Sequence, residues 1–229
     1  MIIYGKQAVL YAVQEIPHNI EELYLAKDIE AKQFASLQKV GAKILRLDTK
    51  KAQAMARGGN HQGYFAKITP PQSGGRKTLL GFNRIVVLCG LSDVGNIGSI
   101  VRSAYAMGVD GIVFDRLLGE KAMSGIVRAS SGAMLKMFFY ESPKILELIN
   151  EIKMSGIVCY GTQANAQEIS EVKTQGRWAL FLGQEDVGLN KKIMQKMDKM
   201  VSIGMYNHFD SLNVGVAGGI LIHRLVFND

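Results

Sequence analysis

The chain has 229 residues, with 27 Lys and Arg against 20 Asp and Glu, a formal charge of +7. Apolar residues make up 48% and charged residues 21%, enough to bury a core in one large or two small domains, so a disordered chain is excluded. Four prolines and the absence of a glycine period exclude a fibre, while the basic excess permits a polyanionic partner without demanding one.

The N-terminal stretch MIIYGKQAVLYAV lacks a charged leader, a long apolar core and a cleavage site, so no signal peptide is expected. No apolar run reaches the roughly 18–20 residues of a spanning helix, and a cytoplasmic protein with no membrane partner is expected. Residues 4–13 place apolar side chains at helical spacing, and residues 22–26 (ELYLA) read as a short strand. Asp28 is positioned to cap a helix through EAKQFASLQKV, which Gly41 ends. Residues 42–47 alternate as a strand, Thr49 opens a helix that stops at Gly58-Gly59, and residues 63–68 form a further strand.

Residues 69–77 (TPPQSGGRK) hold two prolines, two glycines and no large apolar side chain, which is linker chemistry. A boundary there divides the chain into a domain at 1–70, a linker at 71–80 and a second domain at 81–229. Beyond it the pattern predicts strand 84–91, helix 97–107 closed by Gly108, strand 111–114, helix 143–154, and strands 156–160 and 178–182. Helix 190–200, strand 201–203 and a final helix 212–227 complete the series. Strands that are apolar throughout and separated by helices predict an α/β fold whose parallel sheet is covered on both faces. Ligands in such sheets collect at the carboxyl ends of the strands, which singles out loops 92–96, 161–165, 183–188 and 204–213.

Three of these loops are rich in glycine and uncharged polar residues. In DVGNIGSIVRSA, Gly95 and Gly98 allow a tight turn from strand to helix. Asn96 stands at a cap position there, and Arg102 in the second turn. A helix N-terminus with a guanidinium suits a phosphate, although this segment alone reads first as a cap and a surface arginine. FLGQEDVGLN contains no dinucleotide or P-loop fingerprint, and alone it reads as a structural turn. In MYNHFDSLNVGVAGGILIHRL, Ser211 and Asn213 precede helical turns built of Val, Gly and Ala, which alone describe a capped, closely packed helix. Cys89 and Cys159 lie in apolar runs and read as buried free thiols, and the four histidines lack metal-ligand spacing, so no metal is expected. His61 reads either as an RNA or interdomain contact or as a turn residue.

Taken in order, N-x-G-x-x-x-R, L-G-x-E-x-x-G-L and S-L-N-V-x-V-A resemble the SpoU (TrmH-type) branch of the SPOUT RNA methyltransferases. The segments IYGKQAVLYAV and HQGYFAKI resemble the small substrate-binding domain of the subgroup that methylates a guanosine ribose in 23S rRNA. The resemblance implies a catalytic domain with a C-terminal trefoil knot, preceded by an RNA-binding domain like ribosomal protein L30e. It implies a homodimer that uses S-adenosylmethionine on an RNA partner, 23S rRNA above all, with the same chemistry on tRNA or a non-catalytic assembly role as alternatives. By motif position it marks Asn96, Arg102, Glu185, Ser211 and Asn213 as catalytic, and Thr162, Gly183, Ile203 and Leu212 as cofactor-binding. On this reading Arg102 holds the ribose-phosphate, Glu185 orients it or bonds the nucleotide, and Ser211 and Asn213 align ribose and cofactor. Three features depart from the family pattern: Gly204 in place of proline, Gly215 in place of serine, and the run His208-Phe209-Asp210 before Ser211.

Overall fold

The computed structural model describes residues 1–174, 176–184, 186–206 and 211–227. In chain order the first elements are β1 (Ile2–Tyr4), α1 (Lys6–Glu15), β2 (Ile20–Leu25), α2 (Ala31–Gln38), β3 (Lys43–Arg46), α3 (Thr49–Met55) and β4 (Tyr64–Ile68). There follow α4 (Arg76–Leu80), β5 (Arg84–Leu88), α5 (Val94–Ala106), β6 (Gly111–Phe114), α6 (Glu120–Ala129), β7 (Phe138–Glu141) and α7 (Ile145–Met154). The last are β8 (Val158–Glu168), β9 (Trp178–Leu182), α8 (Lys191–Met194), β10 (Lys199–Ser202) and α9 (Val214–Phe227). Among the described residues no helix is long and apolar enough to cross a membrane.

Two compact units result, one from Met1–Pro71 with Gly119–Lys136 and the other from Gln72–Leu118 with Met137–Asp229. The first is built on a four-stranded sheet of order β1-β4-β2-β3, antiparallel except for the β2–β3 pair. Phe65 of β4 is buried against Ala52 and Ala56 at α3. The structure departs here from a division into two continuous stretches, because α6 belongs to this unit. Its stripe of Met123, Ile126 and Val127 is buried, and Ser124 Oγ donates to Ile2 O at 2.6 Å. The linker is also shorter than its composition predicts. Gly74 N–H donates to Phe139 O at 2.7 Å, and α4 carries the buried Leu79 into the core of the second unit.

The second unit holds a six-stranded sheet of order β10-β8-β9-β5-β6-β7, parallel throughout. Ile85, Val87 and Cys89 pack with Leu148, Ile149 and Ile152 of α7. With a two-residue side-chain period, Val86 and Leu88 serve the opposite face of the sheet. There α5 packs against α9, which also meets β9. β7 and α6 escape the sequence pattern because FFYE is too short to show alternation and α6 carries an internal glycine. α8 ends at Met194 rather than continuing to residue 200, since Ile193 is its one buried side chain. Asp198 then ties the chain to the sheet, accepting Cys159 N–H at 2.8 Å and pairing with Lys153 at 2.8 Å.

Candidate active site

Because the sheet is parallel, the carboxyl ends of β10, β8, β9 and β5 lie along one edge, and these four strands are contiguous. Of the sequence-predicted residues that are described, Gly183 and Ile203 directly follow β9 and β10, and Thr162 lies within β8. Asn96 and Arg102 lie on α5, and Ser211, Leu212 and Asn213 lead into α9, all within the second unit.

After β5 the chain is braced at Gly90, whose N–H donates to Asp115 Oδ2 at 2.7 Å and whose carbonyl accepts from Gln184 Nε2 at 2.8 Å. Sequence reasoning missed both partners; each is a polar residue just past an apolar strand. The cap of α5 is Asp93 rather than Asn96, with Oδ1 accepting Asn96 N–H at 2.7 Å. A carboxylate is the better acceptor at a helix N-terminus, and its use there leaves the Asn96 amide available. Asn96 Oδ1 accepts from Asn213 Nδ2 at 2.9 Å, a contact across 117 residues of chain. With the helix starting at Val94, Arg102 lies in the third turn rather than the second. It is exposed on the row Asn96, Ser99, Arg102, each three residues from the next.

Asn213 caps α9. Its Oδ1 accepts from Gly215 N–H at 2.9 Å and Val216 N–H at 3.3 Å, while its carbonyl accepts Ala217 N–H at 2.9 Å. The two asparagines meet because α9 packs closely on α5. A Cβ at Gly215 would lie 3.2 Å from Ser99 Cβ and 3.1 Å from Asn213 Oδ1, and one at Gly218 would lie 3.1 Å from Ile100 Cγ1. That approach gives a physical reason for glycine at 215, where the family pattern has serine. Ser211 is exposed and Leu212 half-buried, just ahead of the cap.

The β8–β10 ladder pairs Gly161 with Met200 and resumes at Gln167 with Val201, so residues 162–166 leave it as a wide bulge. Thr162 begins the bulge, and its Oγ1 donates to Phe181 O at 3.3 Å; Asn165 adopts φ +59°. Gly183 follows β9 directly. A Cβ there would stand 2.3 Å from Gly188 C and 2.4 Å from Leu189 N, so only glycine lets loop 184–188 fold back. Gly188 N–H closes that loop onto Gln184 O at 2.9 Å. Ile203 is half-buried directly after β10, and a Cβ at Gly204 would meet the Glu168 carboxylate at 2.3 Å. Glu185 and His208-Phe209-Asp210 lie outside the described residues. No group of residues able to hold a metal ion occurs among the described residues.

A parallel sheet with Gly-rich and amide-bearing loops gathered at one carboxyl edge defines an α/β protein with a polar, uncharged-donor site. Residues 83–223 match the SpoU rRNA methylase family, and residues 2–74 match the substrate-binding domain of RNA 2′-O-ribose methyltransferases. The chain belongs to the SpoU methylase family. A Staphylococcus haemolyticus protein named for the TrmH family of tRNA/rRNA methyltransferases is 27% identical over 98% of this chain and 94% of its own length. The fold matches that of the SpoU methyltransferase AviRb of Streptomyces viridochromogenes, solved with the cofactor AdoMet (TM-score 0.80, 19% identity, 100% of this chain and 90% of that one). It also matches the AdoMet-bound rRNA methyltransferase of Sinorhizobium meliloti (TM-score 0.78, 20% identity, 98% and 85%).

Proposed function

We propose that this protein transfers the methyl group of S-adenosylmethionine to a ribose 2′-hydroxyl of RNA, and that the target is a guanosine in 23S rRNA. The observation that carries the reading is the Asn213–Asn96 hydrogen bond. It joins two of the family's motifs at the edge where the other candidate loops end.

The residues present fit the cofactor. Thr162, Gly183, Ile203 and Leu212 stand on three loops from adjacent strands, offering backbone groups beside half-buried Ile203 and Leu212. Such a mixed lining suits a nucleoside. Bound AdoMet supplies a methyl group on a sulfonium, an electrophile for an oxygen nucleophile. The chain must hold the ribose oxygen in line and support its charge as the proton leaves. A guanidinium is a poor general base, so Arg102 serves as an electrostatic and phosphate-holding group. A phosphate oxygen or a deprotonated neighbour takes the proton. By motif position Glu185 is assigned to orienting the guanidinium or bonding the nucleotide, and Ser211 and Asn213 to aligning the ribose.

The first unit is assigned RNA binding, the second catalysis. The trefoil knot belongs to the same reading. A homodimer is assigned to α9, where Val216 (52% exposed), Ile220 (37%) and Phe227 (62%) follow at helical spacing with exposed His223 among them. The test is nucleoside analysis and site mapping after incubating the protein and AdoMet with 23S rRNA and, separately, with tRNA. One 2′-O-methylguanosine in 23S rRNA is expected. Methylation confined to tRNA overturns the choice of RNA, and none in either overturns the enzyme.

A further inference from the structure

The first unit carries a group of cations for which the catalytic reading has no use. Residues 57–63 (RGGNHQG) join α3 to β4, and four of the seven, Arg57, Gly58, Gln62 and Gly63, have φ between +50° and +82°. For Arg57 and Gln62 that conformation is disfavoured, so the surroundings must hold it. Gly58 N–H donates to Gln53 O at 3.1 Å, and Tyr64 N–H to His61 O at 3.1 Å across the turn. Gln62 Oε1 accepts Lys6 N–H at 3.1 Å, tying the turn to the start of α1. His61 Nδ1 accepts Gly63 N–H at 3.0 Å, and its ring lies 4.9 Å from that of Phe65. With Nδ1 accepting, Nε2 carries the ring's remaining donor.

Contacts place four cations around this braced loop. Arg57 is part of it, and Lys6 is bonded to it through its main chain. The Lys27 stem covers Gly63, where a Cβ would lie 2.5 Å from Lys27 Cγ. The Arg128 guanidinium sits 5.5 Å above the Tyr4 ring, whose hydroxyl is 2.6 Å from where a Gly59 side chain would begin. Among the described residues none of the four is in an ion pair. Arg57, Lys27, Arg128 and Asn60 are exposed. A rigid loop with an amide and an imidazole donor inside a ring of unneutralised cations has the chemistry of an RNA contact. Cations take phosphates, and planar polar side chains take the edges of unpaired bases.

We propose that loop 57–63, with Lys6, Lys27 and Arg128, is the RNA-contacting site of the first unit. α6 is therefore part of the RNA-binding surface through Arg128. This rests on the RNA methyltransferase reading.

The test uses the whole protein and transcribed 23S rRNA, with affinity measured across a salt series and methyl transfer across RNA concentration. Arg57→Gln with Arg128→Gln is expected to weaken binding about tenfold or more and to lower the salt slope by about one to two. KM for RNA should rise, with kcat and affinity for the demethylated cofactor unchanged. Lys27→Gln alone should weaken binding in the same direction by less. Lys32→Gln with Lys39→Gln removes the same charge from α2 and its end and should leave affinity within about twofold. An equal loss in both pairs, or none in either with an active enzyme, overturns this site alone. Absence of RNA binding by the unchanged protein overturns both the site and the function beneath it.

Discussion

At Asn213 one amide serves both the fold and the site, since its oxygen caps α9 and its nitrogen donates to Asn96. The two roles separate by substitution. Asn213→Asp keeps an acceptor, now charged, at a helix N-terminus, and should hold stability within about 0.5 kcal/mol. It removes the donor, so methyl transfer should fall about tenfold or more as the two motifs lose alignment. Asn213→Ala should lose activity and also about 1 kcal/mol of stability, the usual cost of an absent cap. Denaturant unfolding beside single-turnover methyl transfer measures both; an active aspartate variant would sink the alignment role. Arg102 is the contrasting case, exposed on α5 and away in sequence from the loops proposed to hold the cofactor. Arg102→Ala should reduce single-turnover transfer by about 10²–10³ while cofactor affinity holds, the scale of one lost preorganised electrostatic contact. Arg102→Lys should recover little, because a point charge cannot reproduce the two-pronged fork on a phosphate. Near-normal turnover in the alanine variant, or a loss traced wholly to cofactor binding, would remove the role.

Among the elements, the loops at the carboxyl ends depend on backbone approaches that side chains would block. Gly183→Ala places a methyl inside the backbone of Gly188 and Leu189, so loop 184–188 must move. The expected cost is about 1–3 kcal/mol with clear loss of cofactor affinity by calorimetry. At Gly119 a Cβ would meet nothing within 4 Å, and Gly119→Ala should stay within about 0.5 kcal/mol. Equal behaviour of the two variants would contradict the packing account. The central strands β5 and β9 are apolar and buried. Burial pushes the Cys159 thiol up to about 12 and raises Cys89 as well. Both thiols should therefore stay protonated at pH 8 and resist a disulfide probe until the protein is denatured. These strands were also the most legible part of the sequence, because both-face burial writes continuous apolar runs such as RIVVL and WALFL. The Asn96–Asn213 contact was not legible, since no local pattern encodes which helices pack together. Nor was the cap at Asp93 separable from Asn96, both being good capping types three residues apart. The placement of α6 in the first unit depends on its buried stripe meeting β1 and α1, a long-range fact that the linker composition at residues 69–77 obscured.

For the whole molecule, the dimer proposed above rests on the exposed row on α9. Val216, Ile220, His223 and Phe227 recur at intervals of four, three and four residues, which is one helical face. The opposite side of α9 is committed to the core through Leu221, Ile222 and Leu225. A row of exposed apolar side chains along one helical face suits a covered interface. On the proposed dimer a second copy would cover it with the same row, as a two-fold interface is self-complementary. A lysine at the centre of that row would then face its own symmetry mate, adding charge repulsion to desolvation. Ile220→Lys should convert a dimer to a monomer, read by light scattering on a sizing column. As Ile220 is partly exposed and outside the monomer core, secondary structure should persist. Val216→Thr, a smaller change of polarity with nearly the same shape, should only weaken the dimer and make its mass concentration-dependent. A wild-type protein that runs as a monomer at all concentrations, or a dimer indifferent to Ile220→Lys, would show that α9 is not the interface.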